Sequence, residues 1–178
     1  MEAAKTKWEI DTTHSEVTFK VKHLMISNVR GVFKEFGAVV YTSENNFLTS
    51  DIDFWLSLSS LDTGDKKRDA HLKSADFFNA KNHEKIKFKG TSLAKMDNIG
   101  GYELYGDLTI KNITKQIKLN VKFNGLVKDP DGNTKIAYSI IGKINRKTWG
   151  LNWNTLLEAG GVLVSEEVLI NCEMELIK

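Results

Sequence analysis

Ile117-Lys118-Leu119-Asn120-Val121-Lys122-Phe123-Asn124 alternates apolar and polar residues without a break. A period of two sends successive side chains to opposite faces of an extended chain, so this segment reads as a strand with one dry and one wet face. The same pattern recurs on both sides of it. Val17, Phe19 and Val21 alternate with Glu16, Thr18, Lys20 and Lys22, and Ile86 and Phe88 with Lys85, Lys87 and Lys89. Val168, Ile170, Cys172, Met174 and Leu176 alternate mainly with Asn171, Glu173 and Glu175. Ile52, Phe54, Leu56 and Leu58 follow suit, with Trp55 on the other face. One wet face per strand marks an antiparallel sheet, because parallel sheets are covered on both faces.

The turns agree with this reading. Asp97-Asn98-Ile99-Gly100-Gly101 and Asp129-Pro130-Asp131-Gly132-Asn133 each separate two alternating runs, and both supply the residues that hairpin loops demand. Pro130 is the only proline and falls in a turn, so no strand is broken by one. Strands are predicted near 8–11, 16–22, 29–43, 48–60, 84–96, 102–112, 115–128, 134–147 and 163–177, the first two forming one interrupted strand. Runs of a dozen residues, at roughly 3.3 Å per residue and a tilt of about 40°, build a wall roughly 30 Å tall. A sandwich fits the alternation equally well, but long consecutive hairpins close up-and-down more readily and leave no open edge. The expected fold is therefore all-β, an extended antiparallel barrel of eight strands. The alternation fails between Asp65 and Phe78, where a short helix is predicted through Leu72 with Thr63 or Asp65 as its cap, and Ala70, His71, Leu72, Ala75 and Phe78 supply a partial apolar face. A second irregular stretch, 149–161, carries Trp153, Leu156 and Leu157 and is expected to fold over one end.

With 178 residues, 41% apolar and 27% charged, the chain fits a single globular domain over 1–178. A formal charge of +2, with lysines spread rather than blocked, gives no nucleic-acid footprint. Cys172 is the only cysteine, so no internal disulfide forms and the redox compartment stays open. No stretch approaches a transmembrane helix. Met1 to Lys7 lacks the apolar core of a signal peptide, which predicts a cytoplasmic protein, or a periplasmic one if an export signal has been removed.

Catalytic chemistry finds little support. His14 and His23 fall an odd number apart, His71 and His83 lack metal-ligand spacing, and no metal or cofactor is expected. Ser15 follows His14 without an orienting third group, and there is no nucleophile elbow or phosphate-binding loop. Cys172 lies on the apolar face of the last strand as a small hydrophobe, and Asp51 and Asp53 read as solvated. Arg68-Asp69 is either a solvated pair or an ion pair that fixes the helix as a plug. Arg146 either pins a loop or recognises an anionic head group bidentately, with His14 and His23 as mouth residues. The main functional signal is the apolar face: Phe19, Phe33, Phe54, Phe88, Phe123, Leu104, Leu108, Ile110, Ile140 and Ile144 would converge inside a closed sheet. Eight strands leave an interior just wide enough for a filled core or for one ligand, and alternation does not decide between them.

Several motifs together resemble the YceI-like family. They are Trp8 to Phe19 with Val21-Lys22-His23 and Val29-Arg30-Gly31-Val32-Phe33; then Thr63-Gly64, Arg68 to Ser74, Asp76-Phe77-Phe78 and Ile86-Lys87-Phe88; then Gly106 to Ile110 and Ile144 to Gly150. The resemblance runs in order from Trp8 to the C-terminus. It implies an extended lipocalin-like barrel that carries a long apolar amphiphile, typically a polyisoprenoid or quinone-like lipid. Two positions depart from the family pattern. Asn112 stands where a glycine is usual after Leu108-Thr109-Ile110, so that bend is expected to differ, and His83-Glu84-Lys85 replaces a proline before Ile86. The leading expectation is non-catalytic binding or transport of a polyisoprenoid, an isoprenoid quinone or a fatty-acid derivative inside the barrel. The alternative is an interaction or stress-response module whose barrel is filled. An enzyme acting on an isoprenoid is a third reading without a catalytic constellation, and a homodimer is left open.

Overall fold

The computed structural model describes residues 4–44, 46–155, 157 and 163–178. Among them are the strands β1 (Lys5–Ile10), β2 (Glu16–His23), β3 (Ser27–Phe33), β4 (Phe36–Ser43), β5 (Asn46–Ser57) and β6 (Leu61–Asp62). They are followed by β7 (Lys85–Lys95), β8 (Gly101–Ile110), β9 (Ile113–Lys128), β10 (Thr134–Asn145) and β11 (Glu167–Ile177), with helix α1 (Lys66–Lys73) between β6 and β7. β1 and β2 lie end to end along β11, joined through a single 3-10 turn at Thr12–His14 whose cap is the Asp11 carboxylate. β3 and β4 run on likewise beside them, and β5 and β6 beside those. Three interrupted strands and five continuous ones thus give eight antiparallel staves in sequence order. The ring closes where β1 and β2 both pair with β11. This is the expected up-and-down barrel.

The wall is not uniform. The ladder between β9 and β10 stops at Ile141↔Asn120, although β9 begins at Ile113 and β10 continues to Asn145. The 3-10 turn Arg146–Trp149 packs against β9 beyond that point. Trp149 is buried there, and its indole N–H donates to the Leu108 carbonyl at 3.0 Å.

Helix α1 ends at Lys73, one residue past the expected Leu72, and the chain turns away after it. Asp65, rather than Thr63, is the cap and accepts from the Lys67 and Arg68 amides at 2.9 and 3.0 Å. Leu72 and Phe78 pack on the core, whereas Ala70 and Ala75 face solvent. Arg68 and Asp69 do not pair with each other; both converge on Thr63. Asp69 accepts from the Thr63 amide at 2.9 Å and from its hydroxyl at 2.5 Å, while Arg68 donates to the hydroxyl and to the carbonyl, each at 2.7 Å. With Phe77 buried, the segment is docked on the barrel end. Of the irregular stretch after Trp149, Leu156 and Gly161 lie outside the described residues.

The bend at Asn112 explains how a non-glycine is accommodated. Lys111 and Asn112 form a two-residue hairpin loop with φ of 51° and 64°. Both angles are left-handed, and asparagine tolerates that region better than other side chains because its amide bonds the local backbone. Asn112→Val is expected to cost about 1–2 kcal/mol in urea unfolding, and Asn112→Gly to leave stability level or slightly raised. Equal midpoints for all three proteins would show that the turn is not left-handed in solution.

Candidate ligand-binding site

Cross-strand register builds the inner wall in rows. Phe54, Phe88 and Leu108 stand directly opposite one another on β5, β7 and β8. A second row runs Phe33, Val17, Cys172, Ile140 and Val121 across five strands. These rows enclose a cavity of about 550 Å³, inside the range of small-molecule sites. Its wall is almost entirely aliphatic and aromatic, and from Val168 to Leu176 it extends over roughly 20 Å of barrel height.

One end of the barrel is solid. Trp8, Val40, Ile136 and Leu176 form a buried cluster against which Phe123, Phe47 and Tyr138 pack, and the Trp8 indole donates to the Thr42 hydroxyl at 3.3 Å. The rest of the lumen stays open because rings lie flat on the wall. Phe19 covers Gly31 on the neighbouring strand, where an added Cβ would fall 2.3 Å from its ring. Phe88 likewise covers Gly106, where a Cβ would fall 2.2 Å from its Cζ. Without a side chain beneath it, each ring occupies wall rather than lumen.

The expected lining residues divide accordingly. Phe19, Phe33, Phe54, Phe88, Leu104, Leu108, Ile110, Ile140 and Ile144 face the cavity, as do His23 and Arg146 near its mouth. Phe123 faces inward but belongs to the solid floor, its ring 5.9 Å from that of Tyr138. His14 is exposed on the 3-10 turn between β1 and β2, away from the cavity, beside Asp11 at 2.9 Å.

Arg146 is 3% exposed and works as a loop anchor. Its Nε donates to Ser165 O at 2.9 Å, Nη1 to Leu151 O and to Trp153 O at 3.0 Å, and Nη2 to Val164 O at 3.3 Å. Four of the roughly five guanidinium N–H groups are thus committed to carbonyls, which argues for the loop-pinning role over bidentate anion recognition. Desolvation lowers its pKa. Around it, His71 meets Phe77 and Trp153 edge-on at 5.2 and 4.6 Å, the Phe77 and Trp153 rings lie tilted at 5.4 Å, and the three roof the mouth beside α1.

Two features of the site escaped the sequence, the flattening glycines and Tyr138, whereas Cys172 was legible in it. The flattening glycines are visible only once register is known. Tyr138 sits at the boundary of floor and cavity, and its hydroxyl has no hydrogen-bond partner among the described residues; burial raises its pKa. Cys172 lines the cavity with its thiol pushed up to about 12 by desolvation, so it behaves as the expected apolar residue.

Among the described residues, Asp11, His14 and Glu175 bring a histidine and two carboxylates within 4.8 Å of one another. The Lys135 ammonium already lies between the carboxylates, 3.0 Å from Asp11 and 2.9 Å from Glu175, so the cluster is a salt-bridge network tying the β1–β2 break to β10 and β11. Hydrogen bonds from His14 and then Lys135 hold the Asp11 carboxyl at about 2 instead of 3.8.

Two expectations follow. A group depressed on folding contributes stability that is present above its unfolded pKa and lost as pH falls through the folded one. The network should therefore weaken between about pH 4 and 2, and Asp11→Asn should flatten the fall of the melting midpoint across that window. An unchanged acid limb would leave Asp11 unpaired in solution. Gly31→Ala should force the Phe19 ring into the lumen at a cost of about 1–3 kcal/mol. In a Phe19→Leu background the same change should cost much less; strict additivity in this double-mutant cycle would show that ring and glycine do not touch.

The fold and cavity have known counterparts. The YceI-like domain model matches residues 8–176. A UPF0312 protein of Staphylococcus aureus strain N315 is 37% identical over 171 residues, covering 96% of both chains. The structure of the Campylobacter jejuni YCEI protein is similar with a TM-score of 0.76 and 32% identity, over 94% of this chain and 95% of that one. A polyisoprenoid binding domain from Saccharophagus degradans shares the fold, with a TM-score of 0.65 at 13% identity over 95% of this chain and 97% of its own. With a lipocalin-like barrel, a matching family model over nearly its whole length and a relative of more than one-third identity, the chain belongs to the YceI-like family.

Proposed function

We propose that this protein is a non-catalytic carrier that holds a long apolar amphiphile, a polyisoprenoid, isoprenoid quinone or fatty-acid derivative, inside its barrel. The observation that carries the reading is the open chamber of about 550 Å³ with an apolar wall inside the barrel. Close-packed interiors seldom contain voids larger than a water molecule, because an apolar void forfeits both hydration and dispersion contacts. A ligand that fills the chamber restores those contacts. Family membership supports binding of an apolar ligand over catalysis, and the description of the Saccharophagus degradans domain agrees with it at the level of fold. The filled-barrel alternative is disfavoured by the chamber itself.

The geometry orients the amphiphile. His23, Lys67, Arg68 and His71 stand at the mouth, while the deeper wall is apolar down to Tyr138. The polar end therefore belongs at the mouth and the chain runs inward, with the Tyr138 hydroxyl free to donate to a carbonyl or hydroxyl on a ligand long enough to reach it.

Organic extraction and mass spectrometry of the purified protein should return a stoichiometric apolar compound. Leu108→Trp, which points a larger ring into the chamber, should abolish that compound while shifting unfolding by less than about 1 kcal/mol, once the stability conferred by the ligand is allowed for. Repeated extraction without any such compound, together with strong destabilisation of Leu108→Trp, would refute the carrier.

A further inference from the structure

The loop between β2 and β3 breaks the rule that surface apolar residues are scattered. Leu24, Met25 and Ile26 are consecutive and 40%, 53% and 87% exposed. Three adjoining exposed apolar residues have no folding rationale and mark a surface used for contact. Leu24 and Met25 also hold φ of 53° and 63°, left-handed angles that are costly for side chains of this kind. The loop is nonetheless held in place. The Ile26 amide donates to His23 O at 3.3 Å, the Leu24 amide to Leu163 O at 2.8 Å, and the Ser165 amide to Lys22 O at 3.0 Å.

The hairpin itself is cationic, and the carboxylates that follow Ser165 beside it, Glu166 and Glu167, pair with Lys147 and Lys143. From Lys20 to Arg30 the hairpin carries Lys20, Lys22, His23 and Arg30 and no carboxylate. Among the described residues, Arg30 pairs with Glu16 at 3.2 Å, and no ion pair is seen for Lys20 or Lys22. The same hairpin supplies Val21, His23 and Val29 to the cavity wall, so its inner face is the chamber while the side chains of its tip are exposed. On α1, which also lines the mouth, Lys66 and Lys67 are exposed beside the Asp65 carboxylate, which caps the helix, and the Asp69 carboxylate, which accepts from Thr63.

We propose that Leu24-Met25-Ile26 inserts into an anionic phospholipid bilayer while the lysines of the hairpin and of α1 meet the head groups, seating the cavity mouth against the membrane. The proposal rests on the carrier reading, since it supplies the surface from which an apolar ligand enters or to which it is delivered. A bilayer fits this patch better than a protein does. The tip is three residues long, far below the 20–30 residues per side of an ordinary stable interface, whereas apolar insertion plus basic attraction needs only a small motif.

Co-sedimentation of the full chain with vesicles tests it. Phosphatidylcholine vesicles containing about one third phosphatidylglycerol should bind the protein at low salt, and pure phosphatidylcholine vesicles much less. Met25→Asp/Ile26→Asp should weaken binding to the anionic vesicles by about tenfold or more at an unchanged melting midpoint, because both side chains are already solvated. Farnesol titration followed by intrinsic tryptophan fluorescence, to which Trp153 at the chamber contributes, should be the same in both proteins. Equal vesicle binding by parent and variant, or none by either, overturns the proposal. So does a parent dimer that the variant disrupts without any vesicle binding, which would make a second copy the occupant. Absence of farnesol uptake in the parent would count against the carrier reading alone, since the vesicle comparison still decides the docking surface.

Discussion

Everything in this molecule depends on the closure of β11 against both β1 and β2. The pairs Glu9↔Ile177 and Ile10↔Leu176 extend the ladder that runs from Leu169↔Lys20 to Glu173↔Glu16, so the last strand seals the first across the interrupted stave. Closure removes the sheet edges and turns the apolar faces toward one another. The break at Thr12–His14 would weaken this seam. The Asp11–Lys135–Glu175 network bridges it, and the Ser15 hydroxyl accepts from the Glu175 amide at 2.9 Å.

A closed ring of eight strands would ordinarily be filled by its own side chains. Here the filling is confined to one end, where Trp8 and its neighbours form a floor. Above it the volume is kept open by pairing large rings with glycines, so that Phe19 and Phe88 lie along the wall. The chamber is thus a matter of where bulk is directed, since the chain has aromatic residues enough to fill it.

At the other end the backbone supplies the roof. Arg146 gathers carbonyls from Leu151, Trp153, Val164 and Ser165 around one buried guanidinium, which holds the loop after β10 over the mouth. The docked α1 segment completes the rim through Thr63, Arg68 and Asp69. The chamber therefore has a polar rim and an apolar wall beyond it.

The sequence by itself determined the strands, their antiparallel order, the short helix and most of the inward face, because each is written in local periodicity and turn chemistry. The alternation at Ile117–Phe123 needs no distant partner to be read, and neither does the Asp65 cap. Only the tertiary structure decided whether the inward residues line a chamber or fill a core. Phe123 and Phe88 share the same pattern, yet one lies in the floor and the other on the chamber wall, because their heights in the barrel follow from register. Arg146 was legible as a charge near a strand end, but its carbonyl partners come from a loop whose path no periodicity encodes. His14 differs for a related reason. The 3-10 turn lifts it off the strand, and its neighbours Asp11, Lys135 and Glu175 meet only when the barrel closes. Local pattern fixes which way a side chain points; what it meets there depends on strands brought together from far along the chain.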